Sequence, residues 1–445
     1  MDHSLAHPTV DEAARRIVAR NHLVRAVLTP LLDEARAQDA ALRAEAPRTV
    51  LHRVPYVLKD CWDTAGIRTT AGSWRHRTRI PANDSAVHTA LEEAGAILVG
   101  KSNVSDLALA PESDNWLQGP TATPHDLSRA SGGSTGGAAA VADGQAAFDW
   151  GSDFGGSIRM PAGFCGVVGI RLSSTTWPIV DFFPALPAEL SSLNGMGPIA
   201  TTIDGVRTIL RTVAPRLRKG TAPGFEARGL AVYAPDRWTE GEWTTFADDV
   251  ERSAKKAGVP IRSADDVPRP FLVNAAFDGF VAANFDAMVR SGEMDLGEGI
   301  GAVLSAITIG RALGDKRIHP NTAEILALLA LGHVTIYRDK AKAQHRVDGV
   351  RRAARRLWDE GLLLVAPTAT HPPPPHGQVQ RTRGMLAFTK FGNLLDATAV
   401  AFPFGTYPNG LPRSLQILGP PGSEDAVLNA AELLRIAGRS RPASS

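Results

Sequence analysis

Two serines lie in a glycine-rich stretch that could support nucleophilic chemistry. The stretch runs from 131 to 171 and holds eleven glycines; Ser134 lies inside Gly-Gly-Ser-Thr-Gly-Gly and Ser157 directly follows a glycine pair. Adjacent glycines let consecutive backbone N–H groups point at one spot, which suits the oxyanion of a tetrahedral intermediate. A serine hydroxyl is a weak nucleophile and needs a base, either a histidine or a lysine kept neutral by burial. The stretch therefore predicts the core of a serine hydrolase.

Other interpretations of the same glycines and serines stay open at this point. A serine after glycines is also a good helix N-cap. A phosphate-binding loop would end in Gly-Lys-Ser/Thr and a dinucleotide fingerprint would follow a strand, and the sequence contains neither pattern. The motif Gly132–Gly136 does satisfy G-x-S-x-G, the nucleophile elbow of α/β-hydrolases, which would make Ser134 the nucleophile. That elbow requires a preceding strand, and the residues before Gly132 are polar and typical of a turn.

Short apolar strands alternate with helices around these residues. A buried strand is predicted from Arg53 to Asp60, a helix from Ser85 to Gly95, and a second strand from 96 to 100 that ends at Lys101. This alternation predicts an α/β fold with a large mixed, mostly parallel β-sheet covered by helices on both faces. We expect a single domain over 1–445, with N-terminal helices at about 9–45, a core at about 50–215, and a remainder that completes the sheet and the substrate pocket.

Composition excludes several classes of function. The formal net charge is +2, so neither nucleic acid nor a membrane is expected as a partner. The two cysteines, Cys61 and Cys165, fit a reducing compartment, and the polar N-terminus lacks the apolar core of a secretory signal. The twelve histidines show no metal-ligand spacing. We therefore expect a cytoplasmic protein that needs no metal.

Two segments of the chain resemble the amidase signature family of serine hydrolases. They are Val54–Ser73 (VPYVLKDCWDTAGIRTTAGS) and Gly119–Arg171, which contains GGSTGG and then GSDFGGSIRMP. The family uses a Ser–cis-Ser–Lys triad. The resemblance therefore implies that Ser157 is the nucleophile, that Ser134 is the bridging serine after a cis peptide bond, and that Lys59 is the base.

The resemblance also implies roles for the residues around the nucleophile. Asp153 and Arg159 would brace the loop. The oxyanion hole would be formed by four consecutive backbone amides, those of Phe154, Gly155, Gly156 and Ser157.

The implied activity is hydrolysis of a carboxylic amide C–N bond in a small-molecule substrate through an acyl-enzyme on Ser157, without a cofactor. An alternative within the family is the glutamine-hydrolysing subunit of a tRNA-dependent amidotransferase. Further alternatives are an α/β-hydrolase-type esterase that uses Ser134 and a catalytically silent homologue that serves in binding, and a homodimer is possible. One departure from the family pattern is Thr135 in place of a second serine. The aromatic and proline-rich connection 175–192 is expected to line or cover the substrate entrance.

Overall fold

The computed structural model describes residues 7–220, 224–233, 244–291, 314–335, 339–382 and 384–438, together with the single residues 303 and 305. The outermost ends of the predicted domain, 1–6 and 439–445, lie outside these residues. The described helices are α1 (Val10–Val24), α2 (Leu32–Leu42), α3 (Ala86–Glu93), α4 (Gly137–Ala142), α5 (Arg159–Cys165), α6 (Ala188–Ser191), α7 (Ile203–Leu217), α8 (Thr244–Lys256), α9 (Pro270–Ala283), α10 (Phe285–Ser291), α11 (Pro320–Thr335), α12 (Lys340–Asp359), α13 (Thr389–Leu394) and α14 (Glu424–Gly438). The described strands are β1 (Val27–Pro30), β2 (Pro55–Lys59), β3 (Ile97–Ser102), β4 (Ala122–Thr123), β5 (Asp126–Ala130), β6 (Phe148–Asp153), β7 (Val168–Arg171), β8 (Gly195–Ala200), β9 (Gly229–Val232), β10 (Ile261–Ser263), β11 (Leu362–Pro367), β12 (Thr398–Thr406) and β13 (Pro412–Gly419).

The N-terminal helices form as the sequence predicts. Thr9 caps α1 in a capping box, because its side chain accepts from the N–H of Glu12 and the Glu12 carboxylate accepts from the N–H of Thr9. Between α1 and α2 the chain adds the short strand β1, which the sequence pattern did not predict. β1 pairs antiparallel with β3 at the edge of the sheet.

Eleven of the described strands form one sheet in the order β1-β3-β2-β6-β8-β7-β12-β13-β11-β9-β10. The prediction of a large mixed α/β sheet is confirmed, but its mostly parallel character holds only on the two flanks. Parallel pairing joins β3, β2 and β6 on one side and β11, β9 and β10 on the other. The centre from β6 to β11 is antiparallel throughout, as is the edge pair of β1 and β3. Strand-then-helix alternation in the first half of the chain does not reveal this, because β8 lies antiparallel between β6 and β7, and because β12 and β13 insert from the C-terminal end.

Helices cover both faces of the sheet, as predicted. Along β2, Tyr56 and Leu58 belong to the core cluster that includes side chains of α3 and α7, whereas Val57 belongs to the cluster formed with α1, α2 and α4. Successive side chains of a strand point to opposite faces, so each face of β2 is buried against helices. Lys59 follows on this strand and is the last residue in it.

A short hairpin of β4 and β5 lies outside the main sheet. The sequence predicted a polar turn before Ser134, and β5 instead forms a strand there. It is held because the N–H of Ala130 donates to the Pro374 carbonyl at 3.0 Å and Arg129 forms a bridge with Pro375. Within the described part of the chain, no helix combines the length and the apolarity needed to cross a bilayer.

Candidate active site

Lys59 is placed at the carboxyl end of β2, between the parallel neighbours β3 and β6. The residue is only 1% exposed. Its Nζ lies 2.7 Å from Ser134 Oγ, and it donates to Ser152 Oγ at 2.8 Å and to the Ser152 carbonyl at 3.2 Å. The structure thus brings together Lys59 and Ser134, which are seventy-five positions apart in the sequence.

Burial lowers the pKa of Lys59, because a charged ammonium is poorly solvated inside the protein; Cys61, Asp149 and Asp153 oppose this shift. A neutral amine has two N–H groups and one lone pair. Ser152 provides two acceptors, its hydroxyl and its carbonyl, and Lys59 Nζ also lies within hydrogen-bond distance of Ser134 Oγ. A neutral amine that directs both N–H groups to Ser152 would leave its lone pair for the Ser134 hydroxyl. Sequence reasoning missed Ser152, although it lies inside the GSD segment of the family pattern.

Ser134 lies in a fully buried turn, and the peptide bond between Gly133 and Ser134 is cis, as the resemblance implied. The carbonyl of Ser134 accepts from the N–H of Ser105 at 3.0 Å. A Cβ on Gly133 would lie 2.7 Å from the backbone of Glu112, so only glycine fits this close approach. The described contacts give the Ser134 hydroxyl a lysine partner and no histidine.

Thr135 and a buried carboxylate anchor the same turn. Thr135 donates to Asp149 Oδ2 at 3.0 Å, and Ser102 donates to Asp149 Oδ1 at 2.9 Å. Burial raises the pKa of Asp149 to about 6, and the two hydroxyl donors oppose this rise. The hydroxyl at position 135 thus has a structural function, which explains why threonine serves in place of serine. No local sequence pattern singled out Asp149.

Asp153 and Arg159 form a fully buried ion pair at the start of α5, with Arg159 Nη2 2.9 Å from Asp153 Oδ1 and neither side chain exposed. The Asp153 carboxylate also accepts from the backbone N–H groups of Gly156 at 2.8 Å and of Ile158 at 3.2 Å. The carboxylate therefore holds the turn between β6 and α5 from inside. This contact network agrees with the bracing function that the resemblance implied.

Residues far along the chain complete the brace. Asn393 donates to the Asp153 carbonyl at 2.7 Å and to its carboxylate at 2.9 Å. Arg159 donates to Gln416 at 2.8 Å and to the Thr389 carbonyl at 2.8 Å. Burial alone would raise the pKa of Asp153, but Arg159 and Asn393 hold it well below its usual range. Sequence reasoning missed Asn393 and Thr389, because neither lies in the segments that carry the resemblance.

Ser157 lies in the braced turn, half-buried, and lines a cavity together with Lys59 and Ser134. The N–H of Gly156 is already used by Asp153, and Gly156 has φ +127°, where a Cβ would lie 2.4 Å from Thr389 Oγ1. Gly156 therefore shapes the turn and is not a free donor, contrary to the expectation of four oxyanion amides. Among the described residues, the N–H groups of Phe154, Gly155 and Ser157 have no acceptor.

The cavity around these residues is mainly apolar. The polar residues that line it are Lys59, Ser134, Ser152, Ser157 and Asn194. Its apolar lining comes from three segments and two helix residues: Leu107, Ala108, Leu109, Phe154, Phe182, Pro184, Ala185, Leu186, Met288 and Leu326. Lys59 is the single charged side chain among the described lining residues.

The connection 175–192 does line the cavity, as the sequence predicted, and it is firmly attached. The N–H of Phe183 donates to the Cys61 carbonyl at 2.8 Å, and the Phe182 ring meets the Trp62 ring edge-on at 5.3 Å. At the start of the connection, the Thr175 hydroxyl donates to Asp396 at 2.8 Å. These contacts place Phe182 against the residues that directly follow Lys59.

One group of side chains on and near α3 has the spacing of metal ligands. Ligand atoms of Asp84, His88 and Glu92 lie within 4.8 Å of one another. Burial lowers the pKa of His88 to about 4, and its Nδ1 is 2.7 Å from the Tyr56 hydroxyl. None of the three lines the cavity that contains Ser157.

Comparison with known proteins agrees with the geometry. The family model described as Amidase matches residues 9–428. The chain is 32% identical to a glutamyl-tRNA(Gln) amidotransferase subunit of Anaeromyxobacter sp. (strain K), over 96% of this chain and 91% of the relative.

Solved structures show the same fold. A crystal structure of an amidase superposes with a TM-score of 0.77 at 25% identity and covers 96% of this chain and 95% of its own. A 6-aminohexanoate cyclic dimer hydrolase complexed with substrate gives a TM-score of 0.75 at 20% identity, over 97% of this chain and 93% of its own. This second likeness concerns the fold alone.

Proposed function

The chain belongs to the amidase family, and we propose that it hydrolyses the C–N bond of a small neutral amide through an acyl-enzyme on Ser157, with Ser134 and Lys59 as the proton relay. The observation that supports this most is the contact of 2.7 Å between the buried Lys59 Nζ and Ser134 Oγ. Lys59 is only 1% exposed, and Ser152 offers it hydroxyl and carbonyl oxygens as hydrogen-bond partners. Burial disfavours the charged form of lysine, so Lys59 is suited to act as a base.

The reaction begins when Ser157 Oγ attacks the amide carbonyl carbon. The Ser157 proton passes to Ser134 Oγ, and the Ser134 proton passes to Lys59 Nζ. The carbonyl oxygen becomes an oxyanion, and the free amides of Phe154, Gly155 and Ser157 are suited to bind it. Gly156 has no part in this hole, because its N–H holds Asp153.

Collapse of the tetrahedral intermediate breaks the C–N bond. The leaving nitrogen takes its proton from Ser134, which is reprotonated by Lys59, and the amine departs. Water then attacks the ester on Ser157, gives its proton through Ser134 to Lys59, and the acid leaves as Ser157 regains a proton. The relay ends each turnover in its starting protonation state.

The pocket favours a neutral, apolar acyl group. Phe154, Phe182, Leu107 and Leu109 contribute to its lining, and Lys59 is its single charged side chain among the described residues. A substrate with its own ammonium and carboxylate would leave both charges unpaired there, which is costly in a buried site. Two buried free thiols, Cys61 and Cys165, agree with action in a reducing compartment such as the cytoplasm.

A second candidate is the glutamine-hydrolysing subunit of an amidotransferase. It is favoured by the 32% identity to a glutamyl-tRNA(Gln) amidotransferase subunit. Kinetics separate the two functions: the amidase should hydrolyse a neutral amide such as hexanamide with a kcat/KM far above that for glutamine. Glutamine as the preferred substrate would favour the amidotransferase function.

The nucleophile is tested by Ser157→Ala. We expect hydrolysis of an activated amide to fall by about 10⁴-fold or more, as for other serine nucleophiles. Ser128→Ala, at an exposed position of β5, is the matched control and should keep the wild-type rate. Wild-type hydrolysis by the Ser157 variant would overturn the proposed function.

A further inference from the structure

Asn194, which lines the cavity that holds Ser157, carries a side-chain oxygen without a hydrogen-bond partner among the described residues. It lies between α6 and β8, is 3% exposed and lines the cavity. Its side-chain oxygen is buried and has no hydrogen-bond partner among the residues that the structure describes. Buried polar groups are nearly always hydrogen-bonded, so such an acceptor needs an explanation.

The backbone places Asn194 beside the turn that contains the nucleophile. Gly195, the next residue, pairs with Asp153 in the register of β8 and β6. Asn194 therefore lies across from Phe154, the first residue of the turn. The position is fixed, because the Leu193 carbonyl accepts from Asn393 at 2.9 Å and the N–H of Asn194 donates to the Ser191 carbonyl at 3.1 Å.

The other polar groups of the cavity are engaged or reactive. Ser134 Oγ and Ser152 Oγ are both bonded to Lys59, and Ser157 Oγ is the proposed nucleophile. The remaining described lining side chains are apolar. The unpaired backbone N–H groups of Phe154, Gly155 and Ser157 are the donors proposed for the oxyanion. The donor left for Asn194 is one on the substrate, and the donor common to primary and secondary amides is the N–H of the scissile bond.

We propose that the Asn194 side-chain oxygen accepts the scissile N–H of the substrate, which rests on the proposed amidase function. An N–H held in this way fixes the orientation of the leaving nitrogen, so that its lone pair can face the proton on Ser134. An ester has no such N–H and gains nothing from Asn194. The residue is thus a substrate-binding residue that makes the pocket selective for amides over esters.

The test compares two substrates with the same acyl group, butyryl p-nitroanilide and p-nitrophenyl butyrate. In Asn194→Leu, kcat/KM for the anilide should fall by about 10- to 100-fold, whereas kcat/KM for the ester should change by less than about threefold. Equal loss on both substrates, or no loss on the anilide, would overturn the proposal. The ester rate also shows that the variant is folded.

Two further variants sharpen the comparison. Asn194→Asp keeps an acceptor oxygen, so its anilide-to-ester ratio should lie closer to the wild type than that of Asn194→Leu. Leu109→Ala changes the apolar lining only and should lower both rates by a similar factor. If Ser157→Ala retained both activities, the amidase mechanism would fail; if both activities required Ser157 but Asn194→Leu changed them equally, only the function of Asn194 would fail.

Discussion

The replacement Asp153→Asn should both destabilise the protein and impair catalysis. The carboxylate and its partner Arg159 are both fully buried, and the variant leaves the guanidinium charge without its counter-ion. Removing one partner of a buried pair costs about 3–5 kcal/mol. The amide side chain also replaces one acceptor oxygen with a donor, which opposes either the N–H of Gly156 at Oδ1 or the N–H of Ile158 at Oδ2.

Urea unfolding followed by circular dichroism measures this loss, with kcat/KM for an activated amide measured on the folded fraction. We expect a free energy of unfolding lower by about 3–5 kcal/mol and a rate lower by about 100-fold or more, because the amides proposed to bind the oxyanion lose their support. Asp143→Asn is the matched control: Asp143 is 1% exposed in its side chain but pairs with Arg16 and Arg20, which are 47% and 28% exposed. We expect Asp143→Asn to lower the free energy of unfolding by about 1 kcal/mol or less and to leave the activity unchanged, because Arg16 and Arg20 remain hydrated. A loss for Asp153→Asn no larger than for Asp143→Asn would refute the reasoning.

Three further predictions follow from the site. Lys59 must be neutral to act as the proposed base, and burial lowers its pKa, so kcat/KM should rise with pH through a midpoint below the ordinary lysine value of 10.5. Initial rates in a buffer series of constant ionic strength measure this midpoint. A kcat/KM that is independent of pH from 5 to 10 would contradict the prediction. Asp149→Asn removes a charge that raises the pKa of Lys59, so the rising limb should move to lower pH; an unchanged or higher midpoint would contradict the assignment. Phe182→Ala enlarges the cavity where the acyl group of the substrate is proposed to bind. The variant should lower kcat/KM by about tenfold for an amide with a phenyl-bearing acyl group and leave kcat/KM for acetamide unchanged, as measured in parallel assays.

The segments proposed to carry the chemistry could be identified from the sequence, and the contacts that support them could not. Strand β2 ending at Lys59 and the turns at Ser134 and Ser157 are local patterns, and the structure brings the three residues to one cavity. Asn393 was missed because its partner lies far away in the sequence and no local pattern marks it. The donor from Asn393 to Asp153, for example, joins positions 240 residues apart.

The sheet shows the same limit. Local alternation correctly predicted helices on both faces of a mixed sheet. It overestimated parallel pairing, because β7 pairs with β12, which is more than two hundred residues later in the chain. The Gly156 amide was assigned to the oxyanion hole on the resemblance, and only the position of the Asp153 carboxylate shows that this donor is occupied.

Covalent labelling with a fluorophosphonate tests the central claim most directly. The reagent reacts with an activated serine, and peptide mass spectrometry identifies the modified residue. We expect a single adduct on Ser157 that is lost in Lys59→Ala, whereas Ser128→Ala labels as the wild type does. An adduct on Ser134, or labelling of Ser157 that persists without Lys59, would contradict the proposed relay.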